Sequence, residues 1–268
     1  MIYFVCDNNL HFFIDYINSI KYNYNDVEII QDIYGVYNRI GFSKKDIFIF
    51  IQRIPLIETE ILNKLNYYTL NTEQLSKEEW VSYFTSTDVK IVDYSMANIQ
   101  CLLHYRNDMY YLPYMVNKNE IFDYEKIYDI AVIGYWTDSY RLNITNNIPN
   151  INIIEGFDRE RDEKLFRHKI LLNIHFNERF KIFEQMRCNR CILNKMIVIT
   201  ERSMDIDYEL KEYIIECEYN ELISKTKDVL ENYDVYHNKL FSNFDIDKIE
   251  KMYKRIGDET IELLKKNI

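Results

Sequence analysis

The sequence is short of the residues that interrupt regular structure, with 5 glycines and 3 prolines in 268 residues. That scarcity excludes collagen-like and low-complexity architectures. Glycine-built phosphate cradles are missing as well: neither G-x-G-x-x-G nor G-x-x-x-x-G-K-[ST] occurs, which removes the usual dinucleotide and NTPase loops. No G-x-S-x-G elbow supports a serine hydrolase. The 5 histidines form no H-E-x-x-H, which argues against a zinc peptidase. Cysteine is sparse and odd in number, at Cys6, Cys101, Cys188, Cys191 and Cys217. A disulfide framework is therefore not expected, and a reducing compartment fits. Positive charge is in deficit, with 33 basic against 43 acidic residues and a net charge of −10. Proteins that track nucleic-acid phosphates carry the opposite balance, so no nucleic-acid partner is expected. No window reaches the roughly 18 uncharged apolar residues of a membrane span. No basic leader precedes the apolar start, so neither a signal nor a transit peptide is expected, and the cytoplasm is the expected compartment.

What is present is globular: 47% hydrophobic and 28% charged residues, far from the composition of disorder. Short apolar runs recur at 2–6, 27–30, 47–51, 67–70, 89–92 and 109–115. In the second half they recur at 130–133, 151–154, 170–174, 196–199 and 213–215. Segments with helical periodicity separate many of them, notably 10–22, a helix opening near Ser76, 96–104, 179–194 and 221–232. Unbroken Val/Ile/Leu runs alternating with helices are the mark of parallel strands covered on both faces. The alternation runs twice, with a polar seam at 117–128. The expected class is α/β: two small doubly wound, Rossmann-like domains facing across a cleft. Residues 1–118 form the first, and 119–268, including a long amphipathic tail, form the second.

Three places attract chemical attention. Cys188-Asn-Arg-Cys191 is formally C-x-x-C, but it falls inside a predicted helix rather than at a helix start, and no second pair completes a zinc site; packing cysteines are the expectation. His175 ends a predicted buried strand, the edge where open α/β sheets bind ligands, with a helix expected to follow at once and present its amino end to an anion. On that helix Glu184 and Arg187 share a face. Arg187 and Arg190 are placed to reach a phosphate, with Glu184 to accept from sugar hydroxyls; the competing reading is a solvated Glu184–Arg187 ion pair. Glu201, at the next strand end, adds an acidic group to the same edge.

These residues carry a resemblance. The runs KILLNIHFN, FEQMRCNRCILNK and MIVITERSMD resemble the donor half of GT-B glycosyltransferases, with N-I-H, E-x-x-R and V-I-x-E in that order. The group most resembled is a divergent one found in large DNA viruses and bacteria. AVIGYWTDSYR resembles the strand and turn that open that half, while YYTLNTEQLS and IVDYSMANI resemble acceptor-side segments. The resemblance implies transfer of a sugar from a nucleotide-sugar donor, a UDP- or GDP-sugar, to a glycan or other hydroxyl acceptor held by the first domain. It implies no cofactor beyond that co-substrate and no metal, with the cytoplasm of a host cell as the setting for a viral chain. Gly134 would admit the diphosphate, His175 and Arg187 would neutralise it, and Arg141, Arg190 and Ser203 would complete the donor site. Glu184 or Glu201 would hold hydroxyls. One departure stands out: the slot that holds a glutamate in many such enzymes holds Asn189 here, so either Asn189 or Glu184 takes that role.

For an inverting transfer the general base would be Asp7, Glu73 or Asp93, each following a predicted strand, with Glu73 preferred. Asp7 equally ends its strand, Asp93 equally caps the next helix, and a retaining mechanism would need no such base. A catalytically inactive glycan- or nucleotide-binding module is the alternative. A flavodoxin-like or phosphoacceptor domain would need an acidic cluster at one strand end, which the sequence does not offer.

Overall fold

The computed structural model describes the chain except for residues 7–9, 32–34, 37–44, 135–137, 205–208 and 267–268. The described residues form two compact units, Met1–Asn117 with Asp247–Ile268, and Lys118–Ile246.

The first unit holds a six-stranded sheet in the order β2-β1-β3-β4-β5-β6. Its strands are β1 (Ile2–Val5), β2 (Val27–Ile30), β3 (Ile47–Ile51), β4 (Asn66–Asn71), β5 (Ile91–Asp93) and β6 (Met109–Tyr111). All neighbours pair in parallel. The central strands are apolar on both faces, as in the IFIFI of β3, because helices cover a parallel sheet on both sides. Those helices include α1 (Leu10–Asn23), α2 (Thr59–Leu62), α3 (Glu78–Thr85) and α4 (Met96–Leu102). Two packed clusters flank the sheet: Tyr3, Val5, Phe48 and Phe50 in one, Leu75, Phe84, Ile91 and Leu102 in the other. Each such side chain contributes about 1.5–3 kcal/mol by leaving water.

The second unit holds a five-stranded parallel sheet in the order β11-β10-β9-β7-β8. Its strands are β7 (Tyr128–Ile133), β8 (Ile151–Ile154), β9 (His168–Asn173), β10 (Ile197–Glu201) and β11 (Ile214–Cys217). Helices α5 (Ser139–Thr145), α6 (Asp158–Leu165), α7 (Gln185–Leu193), α8 (Leu222–Glu231) and α9 (Tyr233–Phe241) intervene or follow. Both sheets reverse direction beside their first strand, between β1 and β3 and between β7 and β9. Those reversals are the topological switch points where carboxyl ends splay apart and ligands enter.

Two expectations change. The tail, α10 (Ile246–Lys266), groups with the first unit, not the second. Its buried stripe of Ile249, Tyr253, Gly257, Thr260, Ile261 and Leu264 would suit any apolar surface; polar side chains of the first sheet settle the choice. Asn66 Nδ2 and Tyr68 OH donate to the Leu264 carbonyl at 3.1 and 2.8 Å, satisfying a last-turn acceptor that the helix cannot pair by itself, and from the helix Thr260 Oγ1 donates to the Tyr111 carbonyl at 2.5 Å. The second change is the helix expected over 179–194, which begins only at Gln185. Its first part is loop, where Arg179 N donates to Asn177 Oδ1 at 2.9 Å, a local turn that competes with helix formation.

Candidate functional site

In the second unit the residues at the switch point converge. β7 runs into Gly134, whose φ of +113° lies where side chains are strained and glycine is not. A Cβ there would fall 3.5 Å from Arg187 Nη2 and 3.9 Å from Arg141 Nη1, so two guanidiniums approach the backbone at one point. Arg141 sits in the first turn of α5, where the Asp138 side chain caps its backbone N–H at 2.8 Å. It is 6% exposed, and its Nε lies 3.2 Å from the carbonyls of both Ile174 and His175. Burial, then the charge of Arg187, bring its pKa down to about 10, so it stays a cation at neutral pH. Two cations brought together in a partly dry site repel each other; the Asp138 carboxylate, 4.0 Å from Arg141 Nε, and the charges of Glu184 and Glu201 act against that repulsion.

Glu201 ends β10 and is buried. Tyr140 OH donates to its Oε1 at 2.5 Å, and the His175 backbone N–H donates to its Oε2 at 3.2 Å. Tyr140 stacks on Tyr219 with centroids 4.1 Å apart, and Tyr219 OH donates to the Tyr140 carbonyl at 2.7 Å. The carboxylate is thus held from helix α5 and from the segment that leaves β9. His175 Nε2 lies 3.3 Å from Ser203 Oγ, while its buried Nδ1 has no hydrogen-bond partner. Burial is the first of the influences that lower the His175 pKa, which favours the neutral ring. A neutral imidazole hydrogen-bonds a phosphate but does not neutralise it, so the charge falls to the two arginines.

The other expected donor residues divide. Glu184 is the N-cap of α7, without a side-chain capping bond, and its charge acts on Arg141 and His175. Because α7 starts a full loop after His175, no helix amino end follows that residue at once, and Glu184 precedes the helix whose face it was expected to share with Arg187. Asn189 is fully buried. Arg190 is spent elsewhere: it donates to Glu120 Oε2 at 2.8 Å and to Asp162 Oδ2 at 2.6 Å, and Asp162 also takes Arg161. That buried network leaves Arg190 out of the guanidinium pair. Cys188 and Cys191 are buried free thiols, both pushed up by burial, Cys191 to about 12, which is the behaviour of packing cysteines. Tyr140 and Tyr219 escaped the sequence reading, and Asn173 entered it only as the first residue of N-I-H with no role, because nothing in a lone Tyr or strand Asn marks which side chain it will meet.

In the first unit, Glu73 lies just past β4 and Asp93 is the last residue of the neighbouring strand β5; Asp7 lies outside the described residues. Asp93 is fully buried. Its Oδ2 accepts from Asn71 Nδ2 at 2.6 Å, and its Oδ1 accepts from Ser95 N at 2.8 Å and Asn98 Nδ2 at 3.2 Å. Both amides also donate to the Glu73 carbonyl, at 2.9 and 3.1 Å. Asp93 therefore anchors the loop that carries Glu73, and Ser95 caps α4. The Glu73 carboxylate, 26% exposed, takes Gln52 Nε2 at 2.8 Å and lies 3.9 Å from Lys77 Nζ.

Burial raises the Asp93 carboxyl from 3.8 to about 7, against the pull of its hydrogen bonds. Between those values the folded chain keeps a proton that the unfolded chain has lost. Stability from this group is complete below about pH 4 and is lost as pH rises toward 7. Asp93→Asn is expected to flatten that slope by on the order of 2–4 kcal/mol, read from urea midpoints at several pH values. Parallel slopes in both proteins would contradict it.

No protein-family model matches the chain. Similar sequences include the uncharacterized proteins R358 and L137 of Acanthamoeba polyphaga mimivirus. R358 is 27% identical over 258 residues, 90% of each chain. L137 is 30% identical over 246 residues, 84% of this chain; the chain spans only about a third, 32%, of that protein. Among solved structures, TarM superposes with a TM-score of 0.52 at 10% identity, covering 84% of this chain and 57% of that one. The DNA-modifying enzyme beta-glucosyltransferase, solved with and without its substrate uridine diphosphoglucose, gives a TM-score of 0.52 at 13% identity. That match covers 99% of this chain and 97% of the other. The fold is thus of the GT-B type, as expected from the sequence, and R358 and L137 are both viral proteins. No helix among the described residues is long and apolar enough to cross a membrane.

Proposed function

We propose that the chain is a glycosyltransferase that moves a sugar from a nucleotide-sugar donor, a UDP- or GDP-sugar, to a hydroxyl of a glycan or glycoconjugate. The observation that carries this reading is the meeting of Arg141 and Arg187 over Gly134 at a switch point. A donor diphosphate seated there would separate the repelling cations, and the same cations would stabilise the charge that grows on it as the sugar departs. In this reading the guanidiniums do what a divalent cation does in other transferases, and no cofactor is needed beyond the co-substrate. Glu201, pre-oriented by Tyr140 and the His175 N–H, accepts from ribose or sugar hydroxyls, with Glu184 beside it; buried Asn189 supports α7 from within. His175 and Ser203 add hydrogen bonds at the same edge.

On the acceptor side, Glu73 is the general base: it is hydrogen-bonded, partly exposed and at a carboxyl edge, whereas Asp93 is sealed beneath it. The acidic balance of the chain disfavours a nucleic-acid acceptor, although beta-glucosyltransferase is itself a DNA-modifying enzyme. The five free thiols suit the cytoplasm of a host cell.

A panel of UDP- and GDP-sugars, with release of free nucleotide as the readout, tests the proposal. One donor is expected to be hydrolysed slowly without acceptor. Donor binding without any release would instead support the inactive nucleotide-binding module, and neither binding nor release with any donor would overturn both of these and leave only a glycan-binding module.

A further inference from the structure

We propose that Asn173 is a positioning residue that aims Arg187 at the phosphate end of the donor, with Thr200 fixing Asn173 in turn. The proposal rests on the donor-site reading above. Asn173 is the last residue of β9 and is fully buried. Its Oδ1 accepts from Arg187 Nη1 at 3.0 Å, and its Nδ2 donates to Thr200 Oγ1 at 3.0 Å. Thr200 Oγ1 donates onward to the Glu201 carbonyl at 3.0 Å.

The direction of this chain is not arbitrary. A guanidinium has donors and no acceptor, so the Asn173 oxygen must face Arg187 and its nitrogen must face Thr200. The threonine hydroxyl accepts that bond, which leaves its single hydrogen for the Glu201 carbonyl. Every bond then points the same way, from cation to β10 backbone, and each polarises the next. Register supports the link: Asn173 and Thr200 are direct partners in the β9–β10 ladder, so their side chains share one face of the sheet. Arg187 is only partly buried, and a long side chain without such an anchor loses rotamer freedom when a ligand binds. The anchor orders it in the free protein. It also ties the guanidinium to the backbone of Glu201, so the groups at the two ends of the donor keep a fixed spacing.

The test uses the full chain with UDP and GDP as probes, titrated calorimetrically, and uridine and guanosine followed by ligand-observed NMR. Asn173→Ala is expected to weaken the diphosphate that binds by about 10-fold, the scale of one hydrogen bond to a charged group, while nucleoside binding is unchanged. Thr200→Val is expected to weaken the diphosphate by about 3-fold, with Thr200→Ser restoring it. The serine–valine pair keeps the test open even where Asn173→Ala fails to fold. Equal losses for diphosphate and nucleoside would make Asn173 merely structural and overturn the proposal. So would an unchanged diphosphate affinity in Asn173→Ala or Thr200→Val beside a loss in Arg187→Ala; the donor reading would survive either result. Failure of the unaltered protein to bind UDP or GDP would instead remove that reading, and this inference with it.

Discussion

Glu73→Gln is expected to lower sugar transfer by about 10²–10⁴-fold, the contribution of a positioned general base, with nucleotide affinity unchanged. Glutamine keeps the shape of the side chain and can still accept from Gln52 Nε2, which lies 2.8 Å from the carboxylate. The loop also keeps its anchor, because Asn71 and Asn98 grip the Glu73 backbone carbonyl, not its side chain. What disappears is the ability to take a proton from the acceptor hydroxyl. The measurements are kcat for transfer and Kd for the nucleotide, side by side. A variant that transfers at the original rate would leave Glu73 without the role and point to a retaining mechanism or a different base. A variant that loses nucleotide affinity as well would indicate a disturbed fold instead of a missing base.

Arg187→Ala is expected to weaken UDP or GDP binding by about 10–100-fold, since charge-assisted hydrogen bonds to phosphate contribute about 1.5–3 kcal/mol. Arg187 is the better probe of the guanidinium pair because Arg141 also holds the Ile174 and His175 carbonyls, and its removal would disturb the strand end itself. Arg187→Lys is expected to recover part of the loss: an ammonium restores the charge but not the planar fork. The affinity of the original protein should fall with added salt, and that dependence should flatten in Arg187→Ala. Calorimetry at two ionic strengths checks both points. Unaltered affinity in Arg187→Ala would mean that the diphosphate sits elsewhere, and the site would have to be sought away from Gly134.

Much of this architecture was legible beforehand. The apolar runs at 47–51, 170–174 and 196–199 became strands at nearly those bounds, because a strand buried on both faces has little choice but Val, Ile, Leu and Phe. His175 and Glu201 could be singled out because they are polar groups at or just past strand ends, Arg187 because it lies in the helical stretch between those strands, and Gly134 because it is one of very few glycines. Arg190 shows the limit of that method. It lies three residues from Arg187 on the same helix, yet its guanidinium turns into the Glu120–Asp162 network. Nothing in the local sequence distinguishes an arginine with distant acidic partners from one without them. The helix expected to start soon after His175 failed for a related reason: the 179–184 segment has helical composition, but a turn at Asn177–Arg179 takes its backbone elsewhere.

The sequence by itself determined the class: a parallel α/β chain wound twice. Alternation of apolar runs and helices leaves few other ways to hide that much Ile and Val. The tertiary structure alone decided which charges meet, because the Arg190–Glu120 ion pair and the approach of Arg141 and Arg187 to Gly134 bring together residues dozens of positions apart. It also decided where the last helix docks, since an apolar stripe alone does not name its partner, whereas the hydrogen bonds of Asn66, Tyr68 and Thr260, the Lys254–Tyr24 contact and the Lys265–Asp26 pair hold it to the first unit. Hydrophobic burial is non-directional and can be read from composition along the chain. Hydrogen bonds and charge pairs are directional and short in range, so they are fixed only once the strands lie side by side.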